Sequence, residues 1–141
     1  GLPGLVVAIV CPEWEVFLLD SNSKKTRFLH QVKTRLALDN VTVLHQRVES
    51  HQPGRGYDVI VSRAFAAVQD FLALTEHLLA PQGSWWAMKS QKINAELETL
   101  PSFAKIQHLY TLAVPCLQAH RALVQLVPAA NTADLAPRNP K

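Results

Sequence analysis

The sequence has 141 residues, of which 48% are hydrophobic and 18% are charged, and its formal net charge is +3. These values are typical of one globular domain with an apolar core, and they exclude a disordered or fibrous chain. Two cysteines, Cys11 and Cys116, are too few for a disulfide framework, and no apolar run approaches the roughly 20 residues of a membrane span. The first residues also lack the basic segment of a signal peptide. We therefore expect a cytoplasmic protein without membrane contact, with both cysteines as buried thiols.

The chain begins with a glycine-containing turn. Gly1-Leu2-Pro3-Gly4 leads into the apolar run of residues 5–10, which Pro12 ends, so this segment predicts a turn followed by a buried helix. A turn of this kind lets a ligand approach the backbone closely. It is more often an ordinary turn, because a complete glycine fingerprint needs a strand and further glycines before it.

An aspartate ends the next apolar run. Residues 15–20 read Glu-Val-Phe-Leu-Leu-Asp, and a basic segment with helical periodicity follows, so the pattern predicts a strand that ends at Asp20 and then a helix. Ligands of open α/β sheets bind at the carboxyl ends of strands, where a carboxylate can accept both hydroxyls of a ribose. Asp20 is therefore our candidate for binding a nucleoside-bearing cofactor. The alternative is that Asp20 only caps the following helix, since aspartate is a preferred cap.

The helix predicted over residues 24–38 is amphipathic with a basic outer face. Its apolar residues recur at helical spacing. The other faces carry five cations: Lys24, Lys25, Arg27, Lys33 and Arg35. Such a face is usually only solvated, although it is compatible with a polyanionic partner.

Two further strands are predicted, and each is followed by a candidate binding group. Residues 41–45 form the first, and backbone groups around Val48 and Glu49 beyond it could read an adenine edge, with a plain loop as the alternative. A Pro-Gly turn precedes the second, residues 57–63, whose apolar run predicts a strand buried on both faces of a parallel sheet. It ends at Arg63, whose guanidinium would face the same crevice and hold a carboxylate or phosphate.

A helix and a fourth strand come next. An apolar helix is expected over residues 64–79 and is closed by Pro81-Gln82-Gly83. The strand over residues 84–89 ends at Lys89. Its paired tryptophans favour sheet packing over a base-stacking platform, given the area that they bury.

The last part of the chain predicts a hairpin and a tail. A short helix is expected over residues 93–100, and apolar stretches at residues 104–114 and 123–127 predict an antiparallel hairpin that closes the sheet. The remaining residues, 129–141, are expected to be disordered, because they contain prolines and few large apolar side chains. We therefore predict one domain over residues 1–128.

Strand and helix alternate four times, which predicts an α/β fold with a mostly parallel sheet and helices on both faces. Six histidines lack the spacing of a metal site: His30, His45, His51, His77, His108 and His120. Neither a Gly-x-Ser-x-Gly elbow nor a P-loop occurs. We expect no metal, and hydrolase and kinase activities lose support.

Six short motifs, in this order and spacing, resemble the RsmG (GidB) family. They are Gly-Leu-Pro-Gly, Leu-Leu-Asp-Ser, Lys-Lys-Thr-Arg-Phe-Leu, Arg-Val-Glu, Ile-Val-Ser-Arg-Ala-Phe-Ala and Ala-Met-Lys. The family comprises bacterial class I methyltransferases that transfer a methyl group from S-adenosylmethionine to N7 of a guanine in the 530 loop of small-subunit ribosomal RNA. The resemblance runs from Gly1 to about Val127 and implies a class I, Rossmann-like methyltransferase fold with a C-terminal antiparallel hairpin.

The resemblance implies S-adenosylmethionine as cofactor and a role for each residue that would bind it. Gly1 and Leu2 would finish the methionine-binding glycine loop, and Asp20 would hold the ribose. Val48 and Glu49 would lie at the adenosyl group.

The resemblance also implies the side of the site that the target base enters. Arg63 would bind beside the cofactor on that side. Five cations would contact RNA: Lys24, Lys25, Arg27, Lys89 and Arg121. Because N7 already has an available lone pair, the transfer needs no general base, and we name no catalytic acid or base.

Among the departures of the chain from the family, two bear most on the site. The family's first strand and the Asp-x-Gly-x-Gly part of its glycine loop would precede Gly1, and in the family that strand is central, between the strands that end here at Asp20 and Arg63. We therefore expect either a longer protein or an incomplete cofactor pocket. The late Gly-Glu-Arg-His of the family is replaced by residues 119–122, which keep only Arg121, so details of RNA contact would differ.

Two other functions remain compatible with the sequence. One is a nucleotide-binding α/β domain that is truncated or degenerate and only binds. The other is a class I methyltransferase that acts on a small molecule. The basic helix and the strand-end Arg63 and Lys89 favour RNA, and the complete protein is expected to act as a monomer on the small ribosomal subunit.

Overall fold

The computed structural model describes residues 3–63, 67–89, 97–113 and 120–129. The chain divides into two compact units, residues 1–53 and residues 54–141, and each is described by itself. Several predictions fall outside the described residues: those for Gly1, Leu2 and Cys116, for most of the short helix at 93–100, and for the tail beyond Ala129. Ala129 itself is described, and its backbone N–H donates to Phe103 O at 2.7 Å. This hydrogen bond joins the two ends of the C-terminal hairpin.

The described part of the first unit, residues 3–53, contains two helices, two strands and a 3-10 turn. They are α1 (Gly4–Val10), β1 (Val16–Asp20), α2 (Ser23–Arg35), β2 (Val41–His45) and the 3-10 turn Val48–Ser50. The strands pair in parallel, with Asp20 opposite His45 at their carboxyl ends. A small apolar core joins the helices to the two-stranded sheet: Leu5, Ala8, Leu18, Leu29 and Val41.

Helix α1 is less buried than its apolar sequence predicts. Leu5 and Ala8 are buried, whereas Val6, Ile9 and Val10 are at least half exposed. A seven-residue helix that packs on one side can bury only one stripe, so the prediction of a buried helix is wrong within the described structure. The thiol prediction also needs correction, since Cys11 is a free, half-buried cysteine at the end of this helix.

Helix α2 begins shortly after β1 and ends earlier than predicted. The side chain of Asn22 caps it by accepting from Lys24 N at 2.9 Å and Lys25 N at 3.2 Å. The helix ends at Arg35, and Ala37 has a positive φ of 50°, a left-handed conformation that is common after helices. The assignment of the cap to Asn22 removes the alternative that Asp20 is present to cap this helix.

The second unit contains one helix and a four-stranded sheet in its described part. Its elements are β3 (Tyr57–Ser62), α3 (Val68–Thr75), the 3-10 turn Glu76–Leu78, β4 (Leu79–Lys89), β5 (Ala104–Ala113) and β6 (His120–Pro128). The strand order is β3-β4-β6-β5. Strand β3 is parallel to β4, whereas β4 with β6 and β5 with β6 are antiparallel, so two of the four described strand pairings in the chain are parallel. The predicted antiparallel hairpin is confirmed as β5 and β6.

The core of this unit lies between α3 and one face of the sheet. Its buried members are Val68, Phe71, Leu72, Trp85, Ala87, Ala104, Val124 and Leu126. Trp85 is 1% exposed and donates its indole N–H to Thr75 Oγ1 at 2.9 Å, while that hydroxyl donates to Phe71 O at 2.6 Å. The neighbouring Trp86 points to the other face and stacks on Tyr110 with an interplanar angle of 9°. Trp85 therefore has a packing role, as predicted.

Strand β3 is not buried on both faces in the part of the chain that the structure describes. Val59 and Val61 are 39% and 37% exposed, and β4 is the only described strand that pairs with β3. Burial on both faces needs helices over each face and strands on each side. The apolar run alone therefore predicted more burial of β3 than the described structure shows.

Strand β4 begins before the position that was predicted, because the expected Pro81-Gln82-Gly83 turn lies inside it. The pairing with β3 shifts between Tyr57 and Val59 to accommodate this segment. A Cβ on Gly83 would lie 2.7 Å from Tyr57 O, so only glycine permits the approach of the two backbones. Burial at this point raises the pKa of the Tyr57 hydroxyl above its ordinary value of 10.0.

Across the described ranges, the helices are too short or too polar to pass through a bilayer.

Candidate cofactor site and nucleic-acid interface

Asp20 lies where the sequence predicts it, at the carboxyl end of β1. Its side chain is half-buried, and Oδ1 accepts the backbone N–H of Asn22 at 2.8 Å. This bond turns the carboxylate along the start of the loop to α2. A carboxylate held through one oxygen at a parallel strand end retains the acceptor capacity that a pair of ribose hydroxyls requires.

The loop after β2 starts at the same edge of the sheet. Gln46 N donates to Asp20 O at 3.2 Å, so the chain leaves β2 directly beside Asp20. Val48 and Glu49 follow in the 3-10 turn, where Val48 is half-buried and Glu49 is exposed. The structure thus brings the predicted ribose and adenosyl residues of the first unit together at one edge.

Histidine side chains also belong to this edge. His45 Nε2 lies 3.0 Å from Ser21 O, and because a carbonyl oxygen only accepts, the ring nitrogen donates. His51 Nδ1 lies 2.9 Å from Gln46 Oε1. The sequence patterns did not indicate these residues, since His45 was considered only as a metal ligand. No local sequence signal gives the contact of His45, because it depends on the parallel pairing that makes Asp20 and His45, the last residues of β1 and β2, neighbours.

The carboxyl edge of the second unit carries cations. Arg63 immediately follows β3 and is exposed, and Lys89 is the last residue of β4 and is half-buried. Both line a small cleft with a volume of about 10 Å³, together with Ser62, Val68, Phe71, Ala87 and Met88. The sequence assigned Arg63 to the cofactor and Lys89 to RNA, and in this unit the two share one cleft.

The remaining predicted RNA residues lie on surfaces. Lys24, Lys25 and Arg27 are exposed in the first turns of α2. Arg121 is exposed on β6, one residue before Ala122, the strand partner of Lys89. It therefore lies at the same sheet edge as Lys89, because β6 runs antiparallel to β4. Within the described ranges, no group of three or more metal-ligating side chains converges.

Solved structures of methyltransferases share this fold. A structure titled as a putative methyltransferase from Thermoplasma acidophilum matches with a TM-score of 0.67 at 8% identity, over 92% of this chain and 63% of that one. A coclaurine N-methyltransferase structure, titled as bound to N-methylheliamine and SAH, matches with a TM-score of 0.58 at 13% identity, over 77% of this chain and 42% of that one. The fold is therefore that of the class I methyltransferases, as predicted.

Sequence comparison narrows this class to one family. The family model described as GidB, rRNA small subunit methyltransferase G, matches residues 1–124. The ribosomal RNA small subunit methyltransferase G of Hydrogenovibrio crunogenus is 56% identical over 126 residues, which cover 89% of this chain and 58% of that protein. The chain belongs to the GidB family of rRNA small subunit methyltransferases G, and the predicted family is confirmed.

The chain spans about three fifths of the length of the curated relatives it matches. The covered share is 58% for the relative from Hydrogenovibrio crunogenus and 60% for that from Nitrosococcus oceani.

Proposed function

We propose that this chain forms the cofactor-binding part of an S-adenosylmethionine-dependent methyltransferase that acts on 16S ribosomal RNA at N7 of a guanine in the 530 loop. The main observation in support is that Asp20 lies beside the loop that contains Val48 and Glu49, at the carboxyl edge of two parallel strands. Family membership supports the ribosomal substrate, and the N7 position rests on the family resemblance of the six sequence motifs.

The residues at this edge fit an adenosyl group. The Asp20 carboxylate would accept the ribose hydroxyls, and it is already oriented by Asn22 N. The 3-10 turn presents the half-buried Val48 as an apolar surface for a base, with Glu49 beside it. Gly1 and Leu2 would complete the binding of the methionine part, as the resemblance implies.

The methyl transfer requires the protein to position the reactants and does not require it to transfer a proton. S-adenosylmethionine supplies an electrophilic methyl group on a sulfonium centre. The chain would contribute by holding the target guanine in line and by electrostatic stabilisation, which preorganised groups provide without a general base. Arg63 is proposed beside the target base, and no residue is assigned as acid or base.

Cations of each unit would bind RNA phosphates. Lys24, Lys25 and Arg27 would do so from α2, and Lys89 and Arg121 from the edge of the second sheet. We propose that the complete protein works as a monomer in the cytoplasm, where its ribosomal substrate is found.

The direct test uses protein that includes the upstream part of the natural chain. It is incubated with S-adenosylmethionine and with small ribosomal subunits that lack the modification, and the RNA is digested and analysed by mass spectrometry for 7-methylguanosine. We expect one new 7-methylguanosine within the 530 loop. Cofactor binding without methyl transfer would favour the domain that only binds, and methylation of small molecules alone would favour the other alternative.

A further inference from the structure

His45 joins the end of β2 to the turn that carries Asp20. The two residues are partners in the parallel pairing, and the ring of His45 donates to the carbonyl of Ser21 at 3.0 Å. The next residue, Gln46, donates its backbone N–H to Asp20 O at 3.2 Å. The backbone of this turn is therefore held at two successive carbonyl groups by the last residue of β2 and the residue after it, while Asn22 N holds the Asp20 carboxylate itself.

We propose that His45 is a positioning residue of the cofactor site, which acts by fixing the turn of residues 20–22 and with it the direction of the Asp20 carboxylate. This inference rests on the proposed function. Two hydroxyls of one ribose can be accepted together only by a carboxylate in the correct orientation, and orientation that is provided before binding lowers the entropy lost on binding. Without the His45 bond, the peptide between Ser21 and Asn22 loses the partner of its carbonyl group, and its N–H, which orients the Asp20 carboxylate, is less constrained.

The surroundings of His45 separate this role from a role in folding. Its side chain is exposed, so its removal opens no cavity in the core. Leu18 and Val41, which pack the two strands against the helices, belong to a buried cluster that does not include His45. The loop beyond it has its own support, because His51 Nδ1 lies 2.9 Å from Gln46 Oε1.

The test measures binding of S-adenosylhomocysteine and of its 2′-deoxyribose analogue to the complete protein by calorimetry. His45→Ala and His45→Phe remove the donor, and His45→Gln keeps one. His30→Ala is the matched control, since His30 is also exposed and lies on α2. We expect the two donor-free variants to bind S-adenosylhomocysteine about threefold to tenfold more weakly, with His45→Gln close to the parent. The preference for the ribose form over the deoxy form should shrink with the affinity.

A double-mutant cycle with Asp20→Asn shows whether His45 acts through Asp20. We expect His45→Ala to cause little further loss in the Asp20→Asn background. A full, additive loss there, or an affinity of His45→Ala equal to that of the His30→Ala control, would overturn the inference while leaving the proposed function intact. If the parent protein binds neither ligand, the proposed function fails and this inference fails with it. Should His45→Ala not fold, the comparison of His45→Phe with His45→Gln decides the matter.

Discussion

Asp20 is constrained through a single carboxylate oxygen, and the neighbouring residues explain why. Asn22 caps α2 with its own side chain and uses its backbone N–H to hold Asp20 Oδ1. Helix capping therefore does not require an acid at position 20. A carboxylate at the end of a parallel strand with remaining acceptor capacity is what a ribose-binding role requires.

Replacement of Asp20 by alanine is expected to weaken S-adenosylmethionine binding strongly in the complete protein. The ribose hydroxyls would lose their acceptor, which costs about 1 to 3 kcal/mol at a buried site. Isothermal titration calorimetry measures the change. Glu15→Ala is a suitable control, because Glu15 is an exposed acid just before the start of the same strand. Unchanged affinity in Asp20→Ala would reduce the carboxylate to a support for the turn.

At Thr75, the side-chain hydroxyl links two buried residues of the second unit by hydrogen bonds. Its hydroxyl accepts from Trp85 and donates to Phe71 O, and all three side chains are buried. Thr75→Val keeps the shape but leaves the indole N–H without a partner, so we expect the free energy of unfolding to fall by about 1 to 3 kcal/mol.

Urea unfolding of Thr75→Val, beside Thr75→Ser and Thr42→Val, provides the measurement. Thr75→Ser retains the hydroxyl and should lose less stability, and Thr42 is exposed on β2, so its replacement should have little effect. Equal stability of Thr75→Val and the parent protein would mean that the hydrogen bonds at Trp85 contribute nothing net.

At the scale of elements, helix α2 packs on the sheet with one face and exposes cations on another. Leu29 and the buried Thr26 lie against the sheet, and the exposed side carries the cations of the first turns. Cations near the start of a helix are not favoured by the helix dipole, unlike Lys33 and Arg35 in the last turn. The first-turn cations are thus unexplained by helix stability, which is consistent with a role in binding phosphate.

Neutralising Lys24, Lys25, Arg27 and Arg121 to glutamine should flatten the salt dependence of RNA binding. The log–log slope is expected to fall by roughly one unit for each phosphate that the variant no longer binds. Fluorescence anisotropy with an RNA hairpin of the 530 loop, over a series of salt concentrations, measures the slope. A control with Lys33, Arg35, Arg55 and Lys105 changed to glutamine removes the same charge at other positions. Equal slopes for the two sets would show that the four cations are only solvated surface.

At the scale of the whole molecule, two strands expose apolar residues at a sheet edge. Strand β1 pairs only with β2, and β3 only with β4, among the strands that the structure describes. Phe17 is 41% exposed, and Val59 and Val61 are similarly exposed. Edge strands normally carry charges or prolines that block further pairing, and these two strands have little such protection. The relatives are longer than this chain, so further residues are available in them to cover such edges.

Residues 1–141 expressed alone are therefore expected to be marginally stable or prone to aggregate, and to bind S-adenosylmethionine weakly or not at all. A parallel strand that is buried on both faces has its backbone groups paired on both sides, and the loss of a neighbouring strand uncovers backbone groups and apolar faces at a cost in free energy. Thermal unfolding and cofactor titration, compared with protein that extends upstream through the glycine loop, test this expectation. A soluble, cooperative, cofactor-binding monomer of residues 1–141 would contradict it.

Much of the candidate site was predictable because its signals are local. Asp20, Arg63 and Lys89 each end or follow an apolar run, and the structure places them at or directly after strand ends. The contribution of His45 was not predictable, because it depends on the register between strands that are separated by a helix. The choice of Asn22 over Asp20 as the cap depends on backbone angles in the turn, which two neighbouring capping residues leave open.

The sequence by itself determined the order of the elements, since apolar periodicity and turn residues act over a few neighbouring positions. It predicted residues 41–45 as a strand with the bounds that are observed, and a hairpin at the end. Only the tertiary structure decided that β6 lies between β4 and β5, that Val59 and Val61 remain exposed, and that the Pro81 segment continues a strand. These outcomes depend on which distant segments pair and pack, and a local pattern does not contain that information because the same apolar run suits an edge strand or a central one.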